Sequence, residues 1–573
     1  MGVRQLQTYV KNYVLNGYIN VSLYDECKDF KRQYSTKPIL LIDLHSFLRI
    51  LLKDLKEVLC GIRHQKVYER LEEFLEDISQ IADLVFYNEG PVFPAKLSEW
   101  INRQNQEFTR AKNVLELINQ ERPLEEIIER VKNIEVPISH FEIVESLAKK
   151  YGTLKTAVDK ECDTEMAQYA CQDPLVLAIL ADDSDFLIFP GNWRYFSLRD
   201  LDQKTFETKE YNRVALRENL GLNDQELVLL STLNGNDVIS FDKDSFYFHK
   251  KLVKERYSCL QRFPAIAQYI KDNNLLDKKN LLADVANRLF DWKFKLDANG
   301  CIGKVRDSFK FYDVASKNEI PDSEDATMVY CRQKSYYFVH SILSHMTVKL
   351  TFNYFDHERS NNFFTTVNCL FRKEIGIILK DKPFRRYRIC SKMSHADEKY
   401  EMISFNPIIP KFKQPPLIEL LDRLQYPEHD ELRFKLLKWL ICEQKDNHIN
   451  FESIPQNIFL DVLALIYMVH EGLIDVIEAD IILLSIKHVE NGDVPEELSA
   501  PEILHPRAFY VSMIFSYCHY HVTRCLEITG LKSLTKLLNF DGVLFHNIFR
   551  EHINQPFYYQ ILLADFANYR HYV

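Results

Sequence analysis

From its start to about residue 290 the chain alternates short apolar runs with stretches whose apolar positions recur every three or four residues. The short runs read as buried strands and the longer period as amphipathic helix, so the alternation predicts parallel strands joined by helices. Three runs are clearest: ILLID (Ile39–Asp43), LVFYNEG (Leu84–Gly90) and LVLAILADDSD (Leu175–Asp185). Each carries one or more carboxylates at its far end. Helical periodicity lies between them, from Lys66 to Ala82 and from Lys96 to Ile118. From Asp291 to Pro415 aromatic and β-branched residues mix with bases, as in KVRDSFKFYDV and KPFRRYRIC, and mixed α/β structure is expected there. After KFKQPPL come amphipathic helices, among them ELRFKLLKWLICE and AFYVSMIFSYCHYHVTRCLEI, with almost no strand signal. The expected organisation is an α/β domain over 1–290, a mixed α/β region over 291–415 and an all-helical C-terminal domain over 416–573.

Composition narrows what such a fold can do. With 46% hydrophobic, 27% charged and 13% aromatic residues, the 573-residue chain can build packed cores, and a disordered chain is excluded. Only 15 glycines occur, in neither a G-x-G-x-x-G nor a G-x-x-x-x-G-K-[ST] arrangement. Kinases, P-loop ATPases and Rossmann dehydrogenases need such a loop to bring backbone N–H groups against phosphate, so those classes drop out. The net charge of −10 means that any nucleic-acid contact has to come from a local basic patch. The 12 cysteines are dispersed without a C-x-x-C pair, a pattern of buried intracellular thiols and not of a zinc or redox site. The opening residues show no charged-then-apolar leader, and the apolar stretch Pro38–Leu52 is broken by Asp43, His45 and Arg49. No membrane span is expected, and the protein is placed inside the cell, in nucleus and/or cytoplasm.

The chemistry lies in the acids. Ligands of open parallel sheets bind beyond the carboxyl ends of the strands, so Asp43, Glu89, Asp183 and Asp185 are expected to converge. Glu161 and Asp163, opening a helix before the third strand, and Asp237, closing LLSTLNGND, fit the same logic. Seven carboxylates in one cleft repel strongly unless hard divalent cations neutralise them, and oxygen-only donors favour Mg²⁺ or Mn²⁺ over zinc. Two such ions could activate water and stabilise the leaving oxygen in phosphodiester hydrolysis. Taken singly, each of these acids is more commonly a helix cap or turn residue than a ligand. Glu165, one turn after Glu161, reads as an exposed helix residue. His519 and His521 read as packing residues. Lys380–Arg388, where bases alternate with aromatics, reads as a half-exposed strand before it reads as a single-strand binding surface.

Order and spacing add a resemblance. MGVRQLQTYV, ILLIDLHSFLR, VFYNEGP, ECDTEMAQYA, ILADDSDFLIF and LLSTLNGNDVI stand in the order of the XPG/flap-endonuclease superfamily, which residues 1–240 resemble. KLSEWINRQ, ECDTEMAQYA and the C-terminal FDGVLFHNIF are similar to the asteroid proteins and to the constitutive coactivator of PPAR-gamma family. The resemblance implies a PIN-like parallel sheet flanked by helices and two Mg²⁺ or Mn²⁺ ions. It places the metal-binding acids on Asp43, Glu89, Glu161, Asp163, Asp183, Asp185 and Asp237. The two basic residues that contact the scissile phosphate fall on Lys96 and Arg103, seven and fourteen residues after Glu89 and expected on one helix face.

The chain also departs from the superfamily. Glu89 stands where most active members have Asp, Gln5 where the opening usually has Gly, and Arg49 where an aromatic stacks on a base. The segment after Asp237, VISFDKDSFYFHKKL, has no G-I-G-P duplex-gripping motif. The resemblance therefore implies either a metal-dependent nuclease for single-stranded or branched DNA or RNA, or a non-catalytic nucleic-acid-binding scaffold whose helical C-terminal domain recruits a protein partner. Fold alone does not choose between them.

Overall fold

A computed structural model describes residues 2–51, 54–90, 92–131, 140–253, 258–315, 325–344, 347–353, 363–382, 386–394, 397–442, 451–495 and 497–554. The chain forms two compact units: Met1–Leu51, Glu72–Trp100 and Leu147–Pro321 make the first, and Leu52–Leu71, Ile101–Ser146 and Asp322–Val573 the second. These units interleave along the chain, and the helices His64–Ser79 and Leu97–Asn119 each run across a boundary.

The first unit is built on seven strands: β1 Tyr18–Ser22, β2 Ile39–Asp43, β3 Asp83–Asn88, β4 Gly152–Thr156, β5 Val176–Ala181, β6 Arg194–Ser197 and β7 Glu207–Tyr211. Their order across the sheet is β1-β7-β6-β5-β2-β3-β4. The five strands from β6 to β4 are parallel, and β7 and β1 add antiparallel edges. Central strands covered on both faces should be almost wholly apolar, and Leu40, Leu41, Ile42, Phe86, Ile179 and Leu180 are accordingly buried. From β2 the chain moves outward through β3 to β4 and then returns to β5 on the other side. The strand order thus reverses between β2 and β5, and a crevice at their carboxyl ends is where such sheets take ligands.

The second unit contains a three-stranded sheet, β8 Val348–Lys349, β9 Tyr387–Ser391 and β10 Glu401–Phe405, in the order β10-β9-β8. In β9 Arg388 is exposed but Tyr387 and Ile389–Ser391 are buried, so the strand is covered more fully than the half-exposed one expected; Pro383, Phe384 and Arg385 lie outside the described residues. From residue 416 onward the regular elements among the described residues are helices joined by loops, with no strand. The helix Pro506–Ile528 packs against Phe459–His470 and Gly542–Asn554. His519 and His521 are buried in it, as expected, and His519 lies between Glu142 Oε2 at 3.3 Å and Asp461 Oδ1 at 3.5 Å. Among the described residues no helix is long and apolar enough to cross a membrane.

Candidate metal centre

The acids enter the crevice because five parallel strands end on the same side. Asp43 is the last residue of β2 and lies directly before the helix Leu44–Leu51. It accepts from the backbone N–H of His45 at 3.0 Å and from Ser46 Oγ, so the capping role open to any strand-end Asp is in part realised. Ser46 Oγ also accepts from Asp182 N at 3.2 Å, which ties the end of β2 to the end of β5. Beyond β5, Asp183 begins a 3₁₀ turn, Ser184–Leu187, and accepts from Asp185 N at 3.1 Å.

Asp185 is completely buried. Its Oδ1 accepts from Tyr312 Oη at 2.6 Å, while its Oδ2 is buried with no hydrogen-bond partner. Carboxylate oxygens of Asp163, Asp183 and Asp185 lie within 4.8 Å of one another. Asp163 arrives in the first turn of the helix Cys162–Gln172, whose N-cap is Glu161. Asp237 follows the helix Asp224–Asn234, which is started by an Asn223/Glu226 capping box and ended by Gly235. Gly235 has φ +95°, and a Cβ there would meet Phe241 Cα at 2.9 Å, so only glycine allows the turn that delivers Asp237.

Lys96 enters the same cluster. Its ammonium is 2.9 Å from Glu161 Oε2, 3.5 Å from Asp237 Oδ2 and 4.3 Å from the centre of the Phe311 ring. It closes a 3₁₀ turn, Pro94–Lys96, and precedes the α-helix, so it does not share a regular helix face with Arg103. Arg103, on the helix Leu97–Asn119, is half-buried and falls in the second unit. Glu89 stands one residue past β3 and is exposed. Glu165 accepts from the backbone N–H groups of Asp159 and Lys160 at 3.0 and 2.9 Å, so it fastens the turn before its helix.

The electrostatics follow from burial and crowding. Burial first, then the charge of Asp183, pushes the carboxyls of Asp163 and Asp185 well above the usual carboxylate range. Asp43 is also raised, by burial and by Glu89, against the hydrogen bond from Ser46. Burial raises Glu161 despite Lys96, with Glu89 and Asp237 adding to it. Lys96 is held well above the usual lysine value: its burial works the other way, but Glu161, Asp237 and Asp163 together outweigh it. The named carboxylates thus lie within electrostatic reach of one another, and the Lys96 cation offsets only part of their charge.

Some site residues were not among those singled out by sequence. Tyr312 and Phe311 close the helix Ala298–Phe311, a segment whose aromatic texture suggested no role. Gly2 has φ +43°, and a Cβ there would lie 2.1 Å from Asp183 Oδ1. Gln5 has φ 66° and ψ 11°, the left-handed conformation that explains why glycine suits this position. Its Oε1 accepts from Arg262 Nη2 at 3.1 Å.

No protein-family model matches the chain. It is 27% identical to the mouse constitutive coactivator of peroxisome proliferator-activated receptor gamma over 272 residues, which is 47% of this chain and 32% of that protein. The human protein of that name is 27% identical over 296 residues, 50% of this chain and 30% of its own length. The match thus spans about a third of the length of these relatives. Among solved structures, the catalytic core of Rad2 in complex with DNA substrate overlaps 58% of this chain and 85% of its own at 16% identity, with a TM-score of 0.29. The Holliday junction-resolving enzyme GEN1, in complex with product DNA and Mg²⁺, overlaps 58% and 68% at 12% identity, with a TM-score of 0.32. The relatives bear out the resemblance to the coactivator family read from the motifs. At these TM-scores the overlap says nothing of activity.

Proposed function

We propose that the crevice between β2 and β5 is a divalent-metal centre that hydrolyses phosphodiester bonds in single-stranded or branched nucleic acid. The observation that carries this reading is Asp185, fully buried, with one oxygen held by Tyr312 and the other without a partner beside the carboxylates of Asp163 and Asp183. A buried anionic oxygen left unsatisfied is costly, and a hard cation is the ligand that three close carboxylates fit. Asp163, Asp183 and Asp185 would hold one Mg²⁺ or Mn²⁺, and Asp43, Glu89, Glu161 and Asp237 would complete a second position. When bound, such ions make water a better nucleophile at neutral pH and stabilise negative charge on the leaving oxygen.

The chain's own residues orient and balance the centre. Tyr312 fixes the Asp185 carboxylate, and Ser46 with the His45 N–H fixes Asp43. An ammonium has three N–H donors, and Glu161 takes one from Lys96. Lys96 can therefore present another to a phosphate oxygen. A protein partner for the helices after residue 416 is proposed from the coactivator names of the relatives alone.

The test is cleavage of labelled single-stranded, flap and hairpin DNA and RNA with Mg²⁺ or Mn²⁺, comparing the wild type with the Asp183→Asn/Asp185→Asn variant. Cutting by the wild type that disappears in the variant is expected. Binding without cutting, equal in both proteins, would refute hydrolysis and favour the scaffold.

A further inference from the structure

The seven-stranded sheet of the first unit ends on one side at β1, which pairs with β7 and has no strand beyond it among the described residues. Asn212 donates its backbone N–H to the Gly17 carbonyl and Leu23 donates to the Phe206 carbonyl, both at 2.8 Å and both in the register that sets Ile19 opposite Glu210. Antiparallel ladders direct alternate residues at the neighbouring strand. Ile19 and Val21 therefore face β7, while Tyr18, Asn20 and Ser22 turn their backbone N–H and C=O groups outward. Among the described residues no backbone group pairs with that outer side. Sheet edges are commonly blunted by a charge, a proline or a bulge. The opposite edge strand, β4, carries Lys155. β1 reads Tyr-Ile-Asn-Val-Ser and runs in unbroken register, with none of these devices. Apolar side chains also meet water here: Ile19 is 51% exposed, and Leu15 and Val214, each two residues beyond the Gly17–Asn212 pair, are 85% and 57% exposed.

We infer that this edge pairs with the same edge of a second copy of the chain, antiparallel across a two-fold axis at Asn20, so that two sheets join as one. The strand is symmetric in kind about Asn20: the β-branched Ile19 and Val21 share one face, and the hydroxyl-bearing Tyr18 and Ser22 share the other. Pairing on itself sets Ile19 against Val21 of the second copy, Asn20 against Asn20 and Tyr18 against Ser22. Every outward N–H then meets an outward C=O. Cross-strand pairs of β-branched residues add to such a ladder, whereas like charges directly opposite would weaken it. With no charged residue in β1, self-pairing brings none together along the strand. The contact is isologous, the same patch on both copies, so it closes as a dimer. Joining β1 of one copy to β4 of the next would instead be heterologous and would put Lys155 at the seam. The inference stands apart from the chemistry of the acid crevice.

The test is sedimentation velocity of the full chain between about 1 and 100 μM, where a species of twice the mass of one chain should grow in with concentration. Ile19→Lys sets a charge against apolar Val21 of the second copy and should raise the dimer dissociation constant at least about tenfold. Asn20→Pro removes an outward N–H while leaving the bonds to β7 in place, and should do the same. Because both positions are exposed, the variants should keep the circular dichroism spectrum of the wild type. Cross-linking reads the register. Asn20→Cys should form an intermolecular disulfide under mild oxidation, beyond any that the wild type forms, because the two Cα atoms face each other. Ser22→Cys should not, since its two copies lie roughly 14 Å apart in this pairing. A wild type that stays monomeric throughout would overturn the proposal and leave the edge to a strand of another protein. A dimer indifferent to both Ile19→Lys and Asn20→Pro, or equal cross-linking at positions 20 and 22, would overturn it as well.

Discussion

Asp163 offers a quantitative test of whether the crevice is shaped for cations beyond the protein's own. Its carboxyl is raised by burial, then by Asp183, Asp43 and Asp185, with Lys96 pulling it down. A group whose pKa rises on folding supports stability fully below its unfolded value and loses that support as pH climbs through the folded one. Metal-free protein at pH 8 therefore carries a penalty at Asp163 that fades toward pH 4. Two unit charges at 4.8 Å, the upper limit on the separation of the facing oxygens of Asp163, Asp183 and Asp185, repel by about 3.5 kcal/mol at an effective dielectric of about 20. Protonation sets a ceiling of about 6 kcal/mol, the free energy of taking up a proton at pH 8 by a group of unfolded pKa near 3.8. With part of the repulsion cancelled by Lys96, the isosteric Asp163→Asn change should stabilise the metal-free first unit by about 2–4 kcal/mol at pH 8. For a unit of this size that raises the unfolding midpoint by roughly 5–10 °C. The assay is thermal unfolding in EDTA at pH 8, 6 and 4.5, repeated with saturating Mn²⁺, which should stabilise the wild type more than the variant. A variant no more stable than wild type in EDTA at pH 8, or a gain independent of pH, would refute the reasoning.

Other residues carry further predictions. Lys96→Met strands Glu161 and Asp237 without their cation, so metal-free stability at pH 8 should fall by about 3 kcal/mol and recover on adding Mn²⁺, read by the same unfolding assay. Tyr312→Phe removes a hydrogen bond that favours ionised Asp185, so the acid limb of the cleavage profile should move to higher pH. Gly2→Ala places a methyl group on Asp183 and should weaken Mn²⁺ binding about tenfold, measured by calorimetry. In the second unit His519 is raised above its usual value by Glu142 and Asp461 despite burial, and burial raises Asp461 to about 7. Both shifts make that unit lose stability as pH rises through neutrality, and His519→Gln should flatten the decline in denaturant titrations between pH 6 and 8.

The acids were legible because parallel strands buried on both faces write themselves as unbroken apolar runs, and the residue that ends each run marks the ligand edge. ILLID and LVLAILADDSD are of this kind, and β2 and β5 lie beside each other in the sheet. The two antiparallel strands were not legible. In β7, ETKEY is largely polar because it is only partly covered, and in β1 the apolar Ile19 faces solvent. KVRDSFKFYDV looks β-like by its aromatics, yet most of it belongs to the helix Ala298–Phe311, where tertiary packing outweighs weak propensity. Tyr312 reaches Asp185 across 127 residues, and no local pattern announces such a contact. Lys96 could be placed near the acids by spacing, but its ion pairs to Glu161 and Asp237 depend on three separate chain segments meeting.

The claim on which the rest depends is a divalent centre among Asp163, Asp183 and Asp185. Titration of Mn²⁺ followed by electron paramagnetic resonance, on the wild type and on Asp183→Asn/Asp185→Asn, addresses it without requiring a substrate. The wild type should hold two ions and the variant should lose binding while keeping its circular dichroism spectrum. Equal Mn²⁺ uptake by both proteins, or none by either, would contradict the account.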